Sequence, residues 1–164
     1  MMELYFRDNF FNAGQTEILN ENNERVGEVD LRSSFGSALD VYDQKGNQLY
    51  GGSFTFFSNK WHVTGTAGVE TGLLRSRLSL LSKRYEYDAY GRGVYKITSP
   101  AFSREYEIRD GGEQLAAEFE KVNSWFSASA YCLRNHSPHV DSYEWITVIL
   151  GMHEIQKRRR NQST

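Results

Sequence analysis

Cysteine and proline are nearly absent from this chain. Its 164 residues include one cysteine, Cys132, and two prolines. A single cysteine excludes an intramolecular disulfide framework and is typical of proteins from a reducing compartment. We interpret Cys132 as a small buried hydrophobic residue. A chain of this length can bury a hydrophobic core without disulfides or metal ions, so we expect residues 1–164 to form a single domain.

The chain also lacks a strong net charge and a long apolar segment. Its 19 basic and 21 acidic residues give a net charge of −2, which provides no overall attraction for nucleic acids. The N-terminal residues 1–11 have neither the basic nor the apolar region of a signal peptide. The longest apolar run, Trp145–Met152, is far shorter than the ~20 residues of a transmembrane helix. We therefore expect a cytoplasmic protein without a transmembrane segment.

Glycine and aromatic residues are abundant instead, with 14 Gly, 10 Tyr and 10 Phe, a composition that favours strands joined by turns. Four segments share one pattern, in which Asp or Asn precedes Gly or Asn and then an apolar residue: Asn20–Asn23, Asp43–Gly46, Asp88–Gly91 and Asp110–Gly112. The Asx side chain bonds to the backbone ahead of it, and Gly or Asn tolerates a positive φ. Each segment therefore predicts a β-hairpin turn, and Asp-Gly-Gly predicts a tighter one.

The first two turns and their flanks correspond to the last two. Val26, Val29, Phe35 and Asp43 match Val94, Ile97, Phe102 and Asp110 at a near-constant offset of about 67 residues. The pattern predicts a mostly-β domain of two duplicated halves, about residues 4–68 and 84–140. The glycine-rich join between them, Gly65–Lys83, is expected to be a flexible crossover. Within it, Leu73–Leu81 fits a short helix and a strand equally well.

The clearest helical signals lie between Asp141 and Arg158. Asp141 is placed to cap the N-terminus, with Glu144 reaching back to it as in a capping box. The middle, Trp145–Met152, is apolar around nearly the whole circumference, so this helix should be buried on every side. We expect a strand or a bulky side chain to approach it at Gly151. In a β protein, the natural place for such a helix is inside a closed sheet. The prediction is a closed antiparallel β-barrel around a buried C-terminal helix.

With these features the chain resembles the tubby C-terminal domain superfamily, which includes the LURP-one-related proteins and the phospholipid scramblases. The resemblance covers about residues 4–158 and is to the short bacterial members. It rests on the two half-units, Ser33-Ser34-Phe35 with Asp43–Gly46 and Pro100-Ala101-Phe102 with Asp110–Gly112, and on the helix from Trp145 to Ile155. The chain lacks the basic signature of the animal tubby proteins that bind phosphoinositides. The resemblance implies a non-enzymatic binding or scaffold module without a cofactor, which contacts lipid headgroups, a small ligand or a protein through its outer face.

The middle of the chain carries basic residues that suit this implied function: Arg75, Arg77, Lys83, Arg84, Arg92 and Lys96. With the tyrosines interleaved among them, they are candidates for an anionic-headgroup surface that would place the protein peripherally at a membrane. The alternative is a solvated strand face, because alternation distributes neighbouring residues over both sides of a sheet. The C-terminal run Lys157–Arg160 has the same two interpretations, as a membrane-facing segment or as a frayed, solubilising end.

A second hypothesis belongs to a different class of protein. Cys132, His136 and His139 could form the metal site of a small metalloprotein or enzyme, although a structural zinc site requires four ligands. The simpler interpretation is an ordinary loop after a strand. His153-Glu154 lacks a second histidine four residues later, so it is not a metalloprotease motif. Stoichiometric zinc in the purified protein would favour this second hypothesis, and binding to anionic vesicles would favour the first.

Overall fold

The computed structural model describes residues 1–12, 14–32, 38–55, 57–77, 80–100, 103–125 and 128–163. In this part of the chain there are twelve strands, two short 3-10 turns and one helix. The strands are β1 (Met2–Arg7), β2 (Gly14–Leu19), β3 (Arg25–Arg32), β4 (Ala38–Asp43), β5 (Gln48–Phe54), β6 (Trp61–Thr64), β7 (Glu70–Arg77), β8 (Ser82–Asp88), β9 (Val94–Pro100), β10 (Tyr106–Arg109), β11 (Leu115–Trp125) and β12 (Ala128–Asn135). The 3-10 turns cover Asp8–Phe11 and Thr66–Gly68, and the helix α1 covers Ser142–Gln162.

The strands form one antiparallel sheet that closes into a barrel. Each strand pairs with its neighbours in sequence, and β1 pairs with β12 so that Leu4 lies opposite Leu133. Side chains alternate between the interior and the outer face, most regularly in β9, where Tyr95, Ile97 and Ser99 are buried. Closure leaves none of the described strands with an open edge that a second chain could extend.

Hairpin turns occupy all four predicted places. In the second turn, Asp43 Oδ1 accepts hydrogen bonds from the backbone N–H groups of Lys45 and Asn47, each 2.8 Å long, and Gly46 has a φ of +85°. Asn20 and Asp110 each accept two backbone hydrogen bonds in the same way. The side-chain oxygen therefore fixes these turns, as the sequence pattern predicts.

Two details of the turns differ from the prediction. The third turn begins at Ala89, one residue later than expected, because Arg92 N–H donates to Ala89 O and Ala89 N–H donates to Gly93 O. The fourth turn is not tighter than the others. Its positive φ of 63° falls on Glu113, one residue after the two glycines, so it has the length of the first two turns.

The prediction of a flexible crossover at Gly65–Lys83 is wrong. Residues 65–69 form a short turn in which Gly65 N–H donates to Val69 O over 2.7 Å, and this turn joins the neighbouring strands β6 and β7. The ambiguous segment after it is mainly strand, since β7 extends to Arg77. Phe35 and Phe102, which support the duplication argument, lie outside the described residues. The duplication itself stays a prediction.

The helix α1 lies inside the barrel. Strands around the circumference contact it through Val26 of β3, Trp61 of β6, Tyr87 of β8, Tyr95 of β9, Tyr106 of β10 and Asn135 of β12. The residues predicted to be inaccessible to water are all fully buried: Trp145, Ile146, Val148, Ile149 and Met152. The predicted closed barrel around a buried hydrophobic helix is therefore confirmed. In the described part of the chain, no helix has the length and hydropathy needed to cross a membrane.

The start of α1 matches the prediction in part. Asp141 caps the helix, since its side chain accepts a 2.8 Å hydrogen bond from Tyr143 N–H. The prediction of a capping box is wrong, because the Glu144 side chain turns into the barrel and forms hydrogen bonds with Arg92 and Tyr87. The counter-ion Arg92, which is distant in sequence, determines the direction of this side chain.

Trp61 packs between the helix and the sheet at Gly151. A Cβ atom added to Gly151 would lie less than 3.0 Å from three atoms of the indole ring, and so would one added to Gly52 on the opposite side. The indole Nε1–H donates a 3.1 Å hydrogen bond to Thr147 O, one helical turn before Gly151. The ring is therefore enclosed by two glycines, one in the helix and one in β5, which explains the glycine in an otherwise apolar helix.

Replacing Gly151 with Ala tests this packing. Alanine is a better helix former than glycine by ~1 kcal/mol, yet its methyl group would overlap Trp61, which Gly52 prevents from moving away. We expect the free energy of unfolding in urea to fall by about 1–3 kcal/mol, as for other overpacked cores. The control is Gly111→Ala, where nothing lies within 4 Å of the added atom and the change should stay within about 0.5 kcal/mol. A Gly151→Ala protein as stable as the parent would show that Trp61 is not fixed against the helix.

Candidate functional site

The filled interior leaves the outer face and the two ends of the barrel as places where a ligand can bind. We call the end where α1 begins the helix-entry end. It comprises residues 20–24, 43–47, 65–69, 89–93, 110–114 and 136–141. We call the end where α1 terminates the helix-exit end. Its described residues are 8–12, 57–60, 80–81, 103–105 and 156–163.

Three of the six predicted basic residues lie together on the outer face of β7 and β8. Arg77 is directly opposite Arg84 in the strand register, and Arg75 is opposite Glu86. The two carboxylate oxygens of Glu86 are 2.5 Å from Arg75 and 2.7 Å from Arg77. Hydrogen bonds from Arg77 and Arg75 hold the pKa of Glu86 below its usual value. We call Arg75, Arg77 and Arg84 the arginine face. Its three positive charges outnumber the single negative charge of Glu86.

The other three predicted residues have different partners, and two of them lie away from the arginine face. Lys83 faces the barrel mouth at the helix-exit end, where its Nζ donates a 2.6 Å hydrogen bond to Ser103 O. Burial, with Arg160 and Arg104 nearby, lowers the pKa of Lys83. Lys96 lies on the outer face of β9, opposite Glu86 in the strand register, but its Nζ forms an exposed ion pair with Glu113. Arg92 belongs to the turn between β8 and β9 at the helix-entry end, so the six residues do not form one surface.

The interleaved tyrosines are separated from the arginine face by the sheet itself. Tyr85, Tyr87 and Tyr95 are buried in the barrel, while Tyr90 lies in the turn after β8. Strand alternation directs Arg75, Arg77 and Arg84 outward and these tyrosines inward. The aromatic residues therefore serve the core, and the candidate headgroup surface is cationic without being aromatic.

Arg92 neutralises a carboxylate inside the barrel. Its Nη1 and Nη2 donate to the two oxygens of Glu144 over 2.7 and 2.8 Å, and Nη2 also donates to Thr71 O. Tyr87 Oη donates a 2.5 Å hydrogen bond to Glu144. Glu144 is fully buried, whereas the Arg92 side chain is 33% exposed. Burial and the Glu144 charge raise the pKa of Tyr87, so it remains a hydrogen-bond donor.

A cleft of about 680 Å³ lies beside this network at the helix-entry end. Arg92, Tyr50 and His139 are among its lining residues. Burial, with the nearby charges of Asp141 and Glu144, raises the pKa of Tyr50 to about 12. The cleft is polar, but its guanidinium group is already bound to Glu144.

The surroundings of Cys132 differ from those of a metal site. Cys132 is fully buried, and burial raises the pKa of its thiol to about 11, so it is protonated and a poor metal ligand at neutral pH. His136 lies after β12, with its Nε2 3.7 Å from Glu118. The described residues include no group of three or more His, Cys, Asp or Glu side chains arranged to hold a metal ion. Cys132, His136 and His139 therefore do not converge.

The helix-exit end has a feature that sequence reasoning missed. Leu80 and Leu81, at the connection between β7 and β8, are 102% and 88% exposed, and Phe57, between β5 and β6, is 94% exposed. These connections are neighbours at the same end of the barrel. The double leucine is visible in the sequence, but its ambiguous helix-or-strand pattern did not indicate a turn.

The C-terminal basic run belongs to the same end. It remains helical, and Arg158 Nη1 donates to Ser58 O over 2.8 Å while Arg159 Nη2 donates to Ser76 Oγ over 2.6 Å. His153, one helical turn earlier, lies against the ring of Phe11. Burial, with the charges of Arg104 and nearby basic residues, lowers the pKa of His153 to about 4. The run is therefore not a frayed tail but part of the barrel rim.

Comparison with known proteins identifies relatives of the chain. The family model described as LURP-one-related matches residues 2–150. Among solved structures, an X-ray structure of a protein from Arabidopsis thaliana is similar, with a TM-score of 0.66 and 10% sequence identity over 94% of this chain and 91% of that one. At this identity the similarity concerns the fold alone. The comparison with curated proteins gives no match.

The ion pair between Arg92 and Glu144 predicts a large effect on stability. Arg92→Ala leaves a fully buried carboxylate without its counter-ion, which costs about 3–5 kcal/mol of unfolding free energy. The control Lys96→Ala removes an exposed pair and should cost no more than about 1 kcal/mol. Replacing both partners, Arg92→Met with Glu144→Leu, should recover most of the loss. Chemical denaturation measures all three, and equal losses for Arg92→Ala and Lys96→Ala would contradict this account.

The lowered pKa of His153 predicts that the free energy of unfolding depends on pH. Its folded pKa of about 4 lies below the ordinary value of 6.5, so between these values the unfolded chain binds a proton that the folded chain does not. Stability should therefore rise with pH across this window. His153→Phe keeps a ring against Phe11 and should reduce the slope of unfolding free energy against pH relative to the parent protein. An unchanged slope in His153→Phe would show that this histidine is not buried as described.

Proposed function

The chain belongs to the LURP-one-related family, and within it we propose that this protein is a non-enzymatic binding module that contacts anionic lipid headgroups through its arginine face. It would act as a peripheral protein on the cytoplasmic side of a membrane. The observation that carries this proposal is the placement of Arg75, Arg77 and Arg84 on one outer face, where Arg75 and Arg77 share the carboxylate of Glu86.

The chemistry of the arginine face suits a phosphate-bearing surface. A guanidinium group donates in a planar fork that matches phosphate oxygens and is less strongly hydrated than an ammonium group. Glu86 orients Arg75 and Arg77, which reduces the conformational freedom that they would lose on binding. Arg84 is exposed and adds its charge directly beside Arg77. An anionic bilayer offers many phosphate groups, so it can satisfy several arginines at once.

The remaining polar groups support a binding role in preference to catalysis. α1 fills the barrel, so no deep lumenal pocket is present to enclose a substrate among the described residues. Glu144, Tyr87 and Arg92 satisfy one another, and the Cys132 thiol is buried and protonated. Each of these groups has a structural role that leaves it unavailable for acid–base or nucleophilic chemistry.

Vesicle co-sedimentation tests the proposal. The protein should bind phosphatidylcholine vesicles that contain phosphatidylserine, should not bind phosphatidylcholine alone, and should be released as salt screens the charges. Each arginine near an anionic surface contributes about 1 kcal/mol, so Arg77→Ala with Arg84→Ala should weaken binding about tenfold or more.

The matched control removes two positive charges far from the arginine face, at the start of β3 and in the turn after β4, by Arg25→Ala with Lys45→Ala. This change should leave vesicle binding nearly unchanged. Equal binding to neutral and anionic vesicles would contradict the proposal. Absence of binding to both would contradict it as well and would direct attention to a protein partner for the arginine face.

A further inference from the structure

The helix-exit end combines exposed apolar side chains with a group of basic residues. Leu80 and Leu81 follow each other at the end of one hairpin, and Phe57 is exposed in the neighbouring connection. Single exposed apolar residues are ordinary on protein surfaces, but adjacent ones within a polar surround indicate an interaction site. All three side chains are almost fully exposed at this end of the barrel.

Cations surround these apolar residues. We call them the cationic rim: Lys60, Lys83, Arg104, Lys157, Arg158, Arg159 and Arg160. In the described connections at this end, the acidic residues are Asp8 and Glu105. The rim is held in place by the barrel, since the Arg158 guanidinium lies 4.4 Å from the ring centre of Phe54 and that of Arg104 lies 5.0 Å from the ring centre of Phe11. The positive charge is therefore a fixed feature of this end.

The opposite end has the reverse charge. Its acidic residues are Glu21, Glu24, Asp43, Asp110, Glu113 and Asp141, and its basic residues are Lys45 and Arg92. Charge is thus polarised along the barrel axis, although the net charge of the chain is only −2. An anionic surface attracts the helix-exit end and repels the helix-entry end, so the polarisation selects one orientation.

We propose that the helix-exit end is a membrane-docking tip, in which Leu80 and Leu81, with Phe57, enter the interfacial layer of an anionic bilayer while the cationic rim binds the headgroups. This inference rests on the function proposed above and extends it by giving the protein an orientation. The arginine face is continuous with the tip, because Arg77 and Arg84 lie at the ends of β7 and β8 that carry Leu80 and Leu81. Headgroups that contact the tip are therefore within reach of the arginine face.

A fluid bilayer fits this end better than a folded protein does. A protein partner requires a pocket shaped to accept each projecting side chain, whereas lipid rearranges around it. Lysine and arginine side chains at the rim extend their charged heads to the phosphate layer while their alkyl stems lie along apolar surface. Removing one leucine from water favours association by about tenfold or more. Two inserted leucines therefore add salt-resistant binding to the salt-sensitive attraction of the cations.

A fluorescent label tests insertion directly. L81C places a thiol at the tip, and the native Cys132 is buried with a raised pKa, so an environment-sensitive thiol reagent reacts at position 81. With phosphatidylserine-containing vesicles, the emission of the label should shift to the blue and be quenched by lipids that carry bromine on their acyl chains. The matched control V69C carries the label in an exposed turn at the helix-entry end and should show neither change.

A second measurement uses L80S together with L81S in vesicle co-sedimentation. These positions are exposed, so the thermal melt should be unchanged, and binding should weaken about tenfold or more, most clearly at high salt where the apolar contribution dominates. If anionic vesicles bind and Arg77→Ala with Arg84→Ala releases them, while the label at position 81 remains in water and L80S with L81S binds normally, the docking tip is overturned and the arginine face stands. If the protein binds no vesicles, both proposals fall.

Discussion

The packing of one indole ring between two glycines governs the rest of this structure. A closed sheet of twelve strands, counted over the described residues, encloses more space than short side chains fill, and α1 fills it. Trp61 bridges the helix and the sheet because Gly151 and Gly52 leave room on both sides of the ring. The indole hydrogen bond to Thr147 fixes the depth of the helix. Since the core is a helix and not a cavity, binding is left to the ends and the outer face.

A filled barrel also determines where charge can lie. Glu144 projects from the helix into the core, where it requires a counter-ion and hydrogen-bond donors, and Arg92 and Tyr87 supply both. The guanidinium group of Arg92 is thereby bound to Glu144, although its sequence neighbours suggest a basic patch. Two groups of cations remain at the surface of the described chain: those that strand alternation directs outward on β7 and β8, and those at the end where the helix leaves the barrel.

Local signals allowed most of the fold to be predicted. Asn20, Asp43 and Asp110 fix their turns through bonds to residues only two and four positions ahead, so the information lies in the sequence window itself. The apolar circumference of α1 predicted its burial for the same reason. The candidate site was harder to predict because its members are brought together by strand register. Arg77 meets Arg84, and Glu144 meets Arg92, through pairings that no local pattern contains.

The two ends of the barrel differ because successive connections alternate between them. In an up-and-down barrel, every second connection returns to the same end, so residues far apart in sequence share one surface. The connections at the helix-entry end are short Asx and glycine turns, whose side-chain oxygens are committed to the backbone and bring acidic charge with them. At the helix-exit end, the comparable backbone bonds are accepted by the uncharged hydroxyl groups of Ser58 and Ser103. The described connections there also carry Leu80, Leu81, Phe57 and Arg104. The C-terminus of α1 adds the Lys157–Arg160 run there, where positive charge also complements the helix dipole. Turn chemistry at one end and helix termination at the other thus produce a polarised molecule from a nearly neutral chain.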